Sequence, residues 1–269
     1  MTLTISVRVP DGIVLAADSL VSISTALTAT GELGVKCPKC EEDIKISDFK
    51  LPPIRMPAGS SPFGRKLFNI KKDEVNHGIV VYGTSSLNGR TVESHIREFE
   101  KMKIVGKETV EEVAKKLADY LFAKVKEDVK DLSKIPEQGL VIGFQVAGYD
   151  KEDVKIGKTF LVKIGQKVTI EPKHTLGYSC SMGGEGQVVR KLWKVDPNIP
   201  IAKPQYQFMT LQDAIYYAIF LIRTTIDYQR FATMVPTVGG DIDVAIITHH
   251  GGFQWIHEKK YRGKEEERV

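Results

Sequence analysis

The residue with the clearest chemical potential is Thr2, which stands directly behind the initiator methionine. A threonine side chain is small enough for a methionine aminopeptidase to remove Met1. Thr2 then carries a free α-amine and a hydroxyl on one residue. This pair combines a nucleophile with its own general base, one of the known ways to activate a weak hydroxyl. Because many cytosolic proteins begin with Met-Thr, the prediction depends on the rest of the chain.

The composition is that of a globular protein without the charge of a nucleic-acid or membrane binder. The 269 residues are 42% hydrophobic, enough for one large domain or two small ones. The 38 basic and 34 acidic residues leave a net charge of only +4. The first residues do not show a charged stretch followed by an apolar one, no run of eighteen or more apolar residues occurs, and there are only three cysteines. We therefore expect a cytoplasmic protein that binds neither nucleic acid nor membrane.

The first half of the chain predicts strands and then two helices. TLTISVRV alternates and turns at Asp11-Gly12 into GIVLAAD, and the strands KLFNI and GIVVYG follow further on. A helix is predicted from Leu87 to Lys101. A second is predicted in TVEEVAKKLADYLFAKVKEDVK, where apolar residues recur at steps of three and four.

The second half repeats this order and ends in strands. GLVIGFQVAG, KTFLVKI and KVTIEP are predicted strands, and the Gly-rich SMGGEGQ leads into the helix VVRKLW. A long helix follows a Thr210 cap with Asp213 three residues on, before the strands DIDVAIIT and GFQWIH. Continuous apolar strands need cover on both faces. We therefore predict an α+β fold, a four-layer αββα sandwich of two stacked antiparallel sheets flanked by helices.

The sequence predicts a single domain over residues 1–257, interrupted by an insertion. Residues 22–64 hold five of the twelve prolines and lack sustained periodicity, which indicates an inserted loop. Residues 258–269 are a charged tail that we expect to fray.

Several segments, in this order, resemble the proteasome β-subunit family of N-terminal nucleophile (Ntn) hydrolases. TLTISVRVPDGIVLAADS resembles the opening hairpin of the family, GRKLFNI its lysine strand, and GIVVYG the strand whose last glycine stabilises an oxyanion. GLVIGFQVAGYD, CSMGGEGQ, FMTLQDAIYYAI and GGDIDVAIIT are similar to its later strands, loop and helix starts. Each string alone is weak, but seven in the correct order make the resemblance specific.

The resemblance implies a threonine peptidase that needs no cofactor. Thr2 would be the nucleophile, Asp18 and Lys66 the electrostatic pair, Gly83 the oxyanion donor and Ser181 an auxiliary group. The residue before the cut bond would lie in a roomy apolar pocket formed by Val21, Val81 and Ser85.

Taken singly, each of these residues has a simpler structural interpretation. Asp18 resembles a turn cap, Lys66 a solvated surface lysine, Gly83 a turn glycine and Ser181 a helix N-cap. Only their joint order behind Thr2 favours catalysis.

The chain departs from the family in three places. Lys66 lies 48 positions after Asp18, because the insertion separates them. The Gly-Ser-Gly loop of the family becomes Cys180-Ser181-Met182. Gln229 or Val235, and Val238, stand where many members have the Asp and Ser that support the amine and the attacking water. These replacements put hydrolytic efficiency in question.

Two further groups of residues suggest metal chemistry only weakly. Cys37 and Cys40 supply half of a tetrahedral zinc site, so plain loop cysteines are the simpler interpretation and zinc or a redox dithiol are alternatives. Four scattered histidines are interpreted as structural or surface residues: His77, His95, His174 and His257.

Three functions remain open. The first is a peptidase acting on peptides or unfolded proteins. The resemblance gives it a homo-oligomeric ring and leaves room for an ATP-dependent unfoldase partner. The second is an acyl-transfer enzyme or peptide ligase on the same Thr2 acyl-enzyme. The third is a non-catalytic proteasome-like ring subunit.

Overall fold

The computed structural model describes residues 2–27, 32–36, 39, 43–45, 54–137, 139–153, 156–175, 177–194, 204–232 and 235–260. The chain divides into two units, one of residues 1–21 with 62–269 and one of residues 22–61. None of the helices in the described part of the chain combines the length and the apolar character needed to cross a membrane.

The larger unit contains two five-stranded antiparallel sheets. The first has the strand order β14-β1-β2-β15-β16, and its strands are β1 (Leu3–Val9), β2 (Gly12–Asp18), β14 (Ser179–Gly184), β15 (Ile242–Thr248) and β16 (Gly252–His257). The second has the order β13-β12-β11-β8-β7, and its strands are β7 (Leu67–Lys72), β8 (Val75–Gly83), β11 (Ile142–Gly148), β12 (Lys158–Ile164) and β13 (Val168–Lys173).

The described residues of this unit form four α-helices: α1 (Val92–Lys103), α2 (Val110–Asp128), α3 (Gln187–Trp193) and α4 (Leu211–Phe231). Buried apolar residues of α1 and α2 share one core with the second sheet, and those of α3 and α4 share another with the first sheet. A third core, which includes Leu15, Leu67 and Val80, joins the two sheets. The predicted α+β sandwich of antiparallel sheets and helices is confirmed.

Two helices begin with capping boxes, of which the sequence predicted the one at Thr210. Thr210 and Asp213 form a capping box at the start of α4, and Thr109 and Glu112 form one at the start of α2. In each box the threonine side chain accepts from the backbone of the third helical residue, whose carboxylate accepts in return, and two free N–H groups are satisfied.

The first helix begins later than predicted. Residues 86–91 form the small hairpin of β9 (Ser86–Leu87) and β10 (Arg90–Thr91). Asn88 and Gly89 turn it with φ values of 49° and 70°. An Asn-Gly pair favours this left-handed turn, so the chain reverses before Thr91 caps α1.

Two other predicted segments need correction. Within residues 22–64 the structure has strands β3 (Val21–Leu27), β4 (Glu32–Lys36), β5 (Asp43–Lys45) and β6 (Ile54–Ser61), with β3 beside β6 and β4 beside β5. Two-stranded ribbons need no broad apolar face, so they leave no sustained alternation in the sequence. At the start of the tail, Lys259 is only 8% exposed rather than frayed, and residues 261–269 lie outside the described part.

Candidate active site

Thr2 lies at the end of the first sheet where β2 finishes. It is 4% exposed and directly precedes β1. The register of the hairpin pairs Thr4 with Ala17, which brings Leu3 opposite Asp18. The amide of Leu3 donates to Oδ1 of Asp18 at 3.0 Å. The carboxylate therefore fixes the backbone of the residue next to Thr2.

Asp18 is completely buried and accepts four hydrogen bonds. Its Oδ1 accepts from Leu3 N and from Lys66 Nζ, both at 3.0 Å. Its Oδ2 accepts from the amides of Leu20 and Gly239 at 3.2 and 3.0 Å. Four donors around one buried carboxylate hold its charge and its orientation.

Lys66 reaches this carboxylate from the second sheet. Its side chain is almost buried, and Nζ also donates to the carbonyl oxygen of Leu20 at 2.6 Å. The ammonium and the amide of Leu3 share one oxygen of Asp18. The structure thus brings Asp18 and Lys66, which are 48 positions apart in the chain, together beside Leu3, the residue after Thr2.

Burial acts on both members of this ion pair. It lowers the pKa of the Lys66 ammonium, and the Asp18 carboxylate opposes that shift. Burial also raises the pKa of the Asp18 carboxyl, opposed by Lys66 and by the amides of Gly239 and Leu3. Each charge is therefore maintained by its partner rather than by water.

Gly83 ends β8 with its amide on the Lys66 side. The amide of Val81 donates to the carbonyl oxygen of Lys66 at 2.8 Å, and that of Thr84 donates to Val141 on the opposite side at 2.9 Å. Because successive amides of a strand alternate, the Gly83 amide faces the same side as that of Val81. Its φ of 104°, and the nearby oxygen of Val141, require glycine at this position.

The structure does not bring Ser181 to Thr2. Ser181 belongs to β14 and pairs with Ser6, four residues further along β1. It does not cap a helix either, because α3 begins at Gln187 with Gly186 as N-cap. Glu185, rather than Ser181, bonds to Thr2, because its amide donates to the Thr2 carbonyl oxygen at 2.7 Å. The glycines of SMGGEGQ made this segment look like a loop, and the strand register was not visible in the sequence.

Gly184 fits between Thr2 and β8 because it has no side chain. A Cβ there would overlap the carbonyl oxygen of Thr2 and would lie 3.3 Å from Cβ of Tyr82, the neighbour of Gly83. Its φ is 82°, a conformation that glycine adopts without strain. Because Gly184 lacks a side chain, β14 can lie close to both Thr2 and the end of β8.

We expect Gly184→Ala to displace Thr2 and to lower the free energy of unfolding by more than about 2 kcal/mol. Gly177→Ala is the matched control, because its φ is 110° but its Cβ would meet nothing within 4 Å. The control carries only the backbone penalty, about 1–2 kcal/mol. Chemical denaturation of both variants measures the difference, and equal losses would show that the approach to Thr2 does not matter.

Gln229 supports the segment that leads to Gly239. The glutamine is 2% exposed, and its Oε1 accepts from the amides of Thr237 and Val238 at 2.8 and 3.0 Å. Val238 is buried and apolar, and the next amide, that of Gly239, reaches Asp18. Gln229 therefore holds backbone at the site, which the sequence did not indicate.

The three predicted pocket residues occupy different environments. Val81 is 4% exposed and packs in the core shared with α1 and α2. Ser85 is exposed, and its carbonyl oxygen accepts from the amide of Val92. Val21 is half-buried and lies against Gly64. Their common pocket remains a prediction.

Cys37 and Cys40 lie outside the described residues, so the zinc and redox interpretations remain predictions. Among the histidines, His174 contacts the hydroxyls of Ser6 and Ser179 through its two ring nitrogens. Burial lowers the pKa of His174 to about 4, so its ring is neutral near pH 7.

Comparison with solved structures finds similar folds at low sequence identity. A mutant of Anbu from Hyphomicrobium sp. strain MC1 is 15% identical with a TM-score of 0.56, over 97% of this chain and 86% of that one. Anbu, an ancestral β-subunit, from Yersinia bercovieri is 16% identical with a TM-score of 0.54, over 95% and 87%. The chain has an Anbu-like fold.

A third similar structure comes from the helical assembly of the Anbu complex from Pseudomonas aeruginosa. It is 16% identical with a TM-score of 0.51, over 91% of this chain and 81% of that one. No protein-family model matches the chain, and no curated protein matches it. At these identities the likeness concerns the fold alone.

Proposed function

We propose that this chain is a threonine peptidase of the proteasome β-subunit kind, with the αββα arrangement of the Ntn hydrolases. The observation that carries the proposal is the buried Lys66–Asp18 pair. Its carboxylate oxygen also binds the amide next to Thr2. A surface lysine or a simple turn cap would not be buried together with its partner in this way.

In the proposed reaction, the mature chain starts at Thr2 and its α-amine acts as the general base. Oγ1 of Thr2 attacks the carbonyl carbon of the peptide bond while the amine accepts the hydroxyl proton. The Lys66 ammonium favours the alkoxide as it forms and, by like-charge repulsion, keeps the nearby amine unprotonated. Asp18 orients Lys66.

The tetrahedral intermediate would carry its negative charge toward the Gly83 amide. That amide lies on the Lys66 side of β8, beyond Val80, the last residue of β8 that pairs with β7. Loss of one such donor typically costs a hundredfold or more in rate. The intermediate collapses to an ester on Thr2 with release of the amine product, and water then releases the acid.

The Anbu-like fold supports a subunit that assembles with copies of itself. We therefore propose a homo-oligomeric assembly that encloses the Thr2 residues and acts on peptides or unfolded proteins in the cytoplasm. Val21, Val81 and Ser85 would then favour an apolar residue before the cut bond.

The test is the intact mass of the purified protein before and after reaction with an epoxyketone probe. We expect the mass of a chain that begins at Thr2, and an increase equal to one probe after the reaction. Peptide sequencing by mass spectrometry should place the probe on Thr2. Retention of Met1, or an unmodified chain, would contradict the proposal and leave a non-catalytic subunit as the better interpretation.

Acyl transfer is the second candidate function. Gln229 uses its side chain on the backbone of residues 237 and 238, and Val238 is apolar, so neither offers the carboxylate or hydroxyl that supports water in the family. An added amine should then compete with water for the acyl group. A product ratio that does not change with amine concentration would exclude transfer.

A further inference from the structure

The chain after β16 returns to the turn that precedes Lys66. The amide of Lys259 donates to Oδ1 of Asp243 at 2.8 Å, which fixes its backbone on β15. Its Nζ donates to the carbonyl oxygens of Gly64 and Pro62 at 3.0 and 3.4 Å. Lys259 is 8% exposed, an unusual position for a lysine in a segment of this charge.

The same turn is held from its other side by Ser19. The amide of Gly64 donates to the carbonyl oxygen of Ser19 at 2.9 Å. The Ser19 hydroxyl donates to the carbonyl oxygen of Pro62 at 2.8 Å. The turn therefore lies between the end of β2 and the side chain of Lys259.

Lys66 follows this turn after one residue. Its carbonyl oxygen accepts from the amide of Val81, so β8 fixes the far side of its backbone. The backbone that leads into Lys66 depends on Gly64. The amide of Gly64 donates to Ser19, and its carbonyl oxygen accepts from Lys259. A shift of Gly64 would move the Lys66 ammonium relative to Asp18.

Charged groups of both signs meet here: Asp18 and Asp243 lie against Lys66 and Lys259, and Asp241 and Arg65 also act on Lys259. Burial lowers the pKa of the Lys66 ammonium; Asp18 and Asp243 oppose that shift, whereas the positive charge of Lys259 adds to it. Burial lowers the pKa of Lys259, and Asp243 opposes that shift. Lys259 thus acts on Lys66 through space as well as through the turn.

We propose that Lys259 is a positioning residue for Lys66, holding the Pro62–Gly64 turn so that the ammonium meets Asp18 beside Thr2. The effect of Lys259 on catalysis rests on the proposed peptidase function. The effect of Lys259 on the placement and titration of Lys66 does not depend on that function. These two consequences are measured separately.

The first measurement is the titration of Lys66, followed by NMR of protein carrying ¹³Cε-lysine and assigned with Lys66→Arg. Lys259→Met removes the charge and the donor, and Lys259→Gln keeps a donor without the charge. Loss of the Lys259 charge, common to both variants, raises the Lys66 midpoint, whereas displacement of Lys66 from Asp18 lowers it. We therefore expect the midpoint in Lys259→Met to lie about half a pH unit or more below that in Lys259→Gln, which keeps a donor to the turn. The exposed neighbour Lys260 provides the matched control, Lys260→Met, which should leave the midpoint unchanged. Equal midpoints in the two Lys259 variants would overturn the proposal.

The second measurement is the rate of covalent labelling by the epoxyketone probe. Lys259→Met should lower the saturated rate about tenfold or more while the half-saturating probe concentration stays constant, because a small displacement of a catalytic group costs rate rather than binding. Lys260→Met should label like the wild type. A wild type that does not label would refute the peptidase, and the titration would still decide the placement. A shifted Lys66 midpoint with an unchanged saturated labelling rate would show that Lys259 has no role in catalysis.

Discussion

Thr2→Ala is expected to lower the rate of probe labelling and of peptide hydrolysis by roughly a thousandfold or more. Without the hydroxyl, no acyl-enzyme forms, and nucleophile deletions in related chemistry have effects of this size. Alanine is as acceptable as threonine to a methionine aminopeptidase, so the variant should still lose Met1. The measurement therefore isolates the hydroxyl from the processing of the chain.

Thr2→Ser is the matched control for this change. Serine keeps the hydroxyl and the α-amine, so labelling should persist. Thr2 is almost buried, and its carbonyl oxygen, which Glu185 binds, is unchanged in either variant. Thermal unfolding of the three proteins would confirm that they fold alike. Labelling of Thr2→Ala at the rate of the wild type would place the nucleophile elsewhere.

Asp18→Asn is expected to lower the free energy of unfolding by about 3–5 kcal/mol. Both carboxylate oxygens accept from two donors each. The asparagine amide can take two orientations, and in either one its NH₂ group faces two donors. The Lys66 ammonium would also lose its buried counter-charge. Labelling of Thr2 should fall as well, since both Lys66 and Leu3 depend on Asp18.

Asp11→Asn, in the exposed turn at the other end of the same hairpin, is the control and should stay within about 0.5 kcal/mol of the wild type. Asp18→Asn combined with Lys66→Met should recover part of the lost stability, because the uncompensated charge is gone. Urea unfolding gives the three values. Equal losses for Asp11→Asn and Asp18→Asn would mean that the buried pair contributes nothing to stability.

Local signals predicted much of the fold. The opening hairpin and the capping box of α4 follow from residues only a few positions apart, so the sequence displays them directly. Lys66 and Asp18 were paired through a family resemblance, since no short-range pattern links residues separated by a 40-residue unit. Their contact depends on how the two sheets pack.

The misplaced elements depend on tertiary structure. β14 carries Gly183 and Gly184, which ordinarily indicate a loop, but the strand needs them because Tyr82 and Thr2 approach so closely. The register of β14 on β1 decides that Glu185, not Ser181, meets Thr2. A strand register is set by long-range pairing, and the local sequence does not contain it.

The Ser19 bonds to Pro62 and Gly64 also explain how Lys66 and Asp18, which are so distant in the chain, stay in contact. The polypeptide departs after Val21 and is back at Pro62, within reach of the place it left. The hydrogen bonds of Ser19 thus join the two ends of the inserted segment. The entropy of closing such a loop grows only with the logarithm of its length, about 0.6 kcal/mol for each doubling. A change in the length of this insertion should therefore cost little free energy of folding, while the Ser19 bonds keep the spacing of the Lys66 ammonium and the Asp18 carboxylate the same.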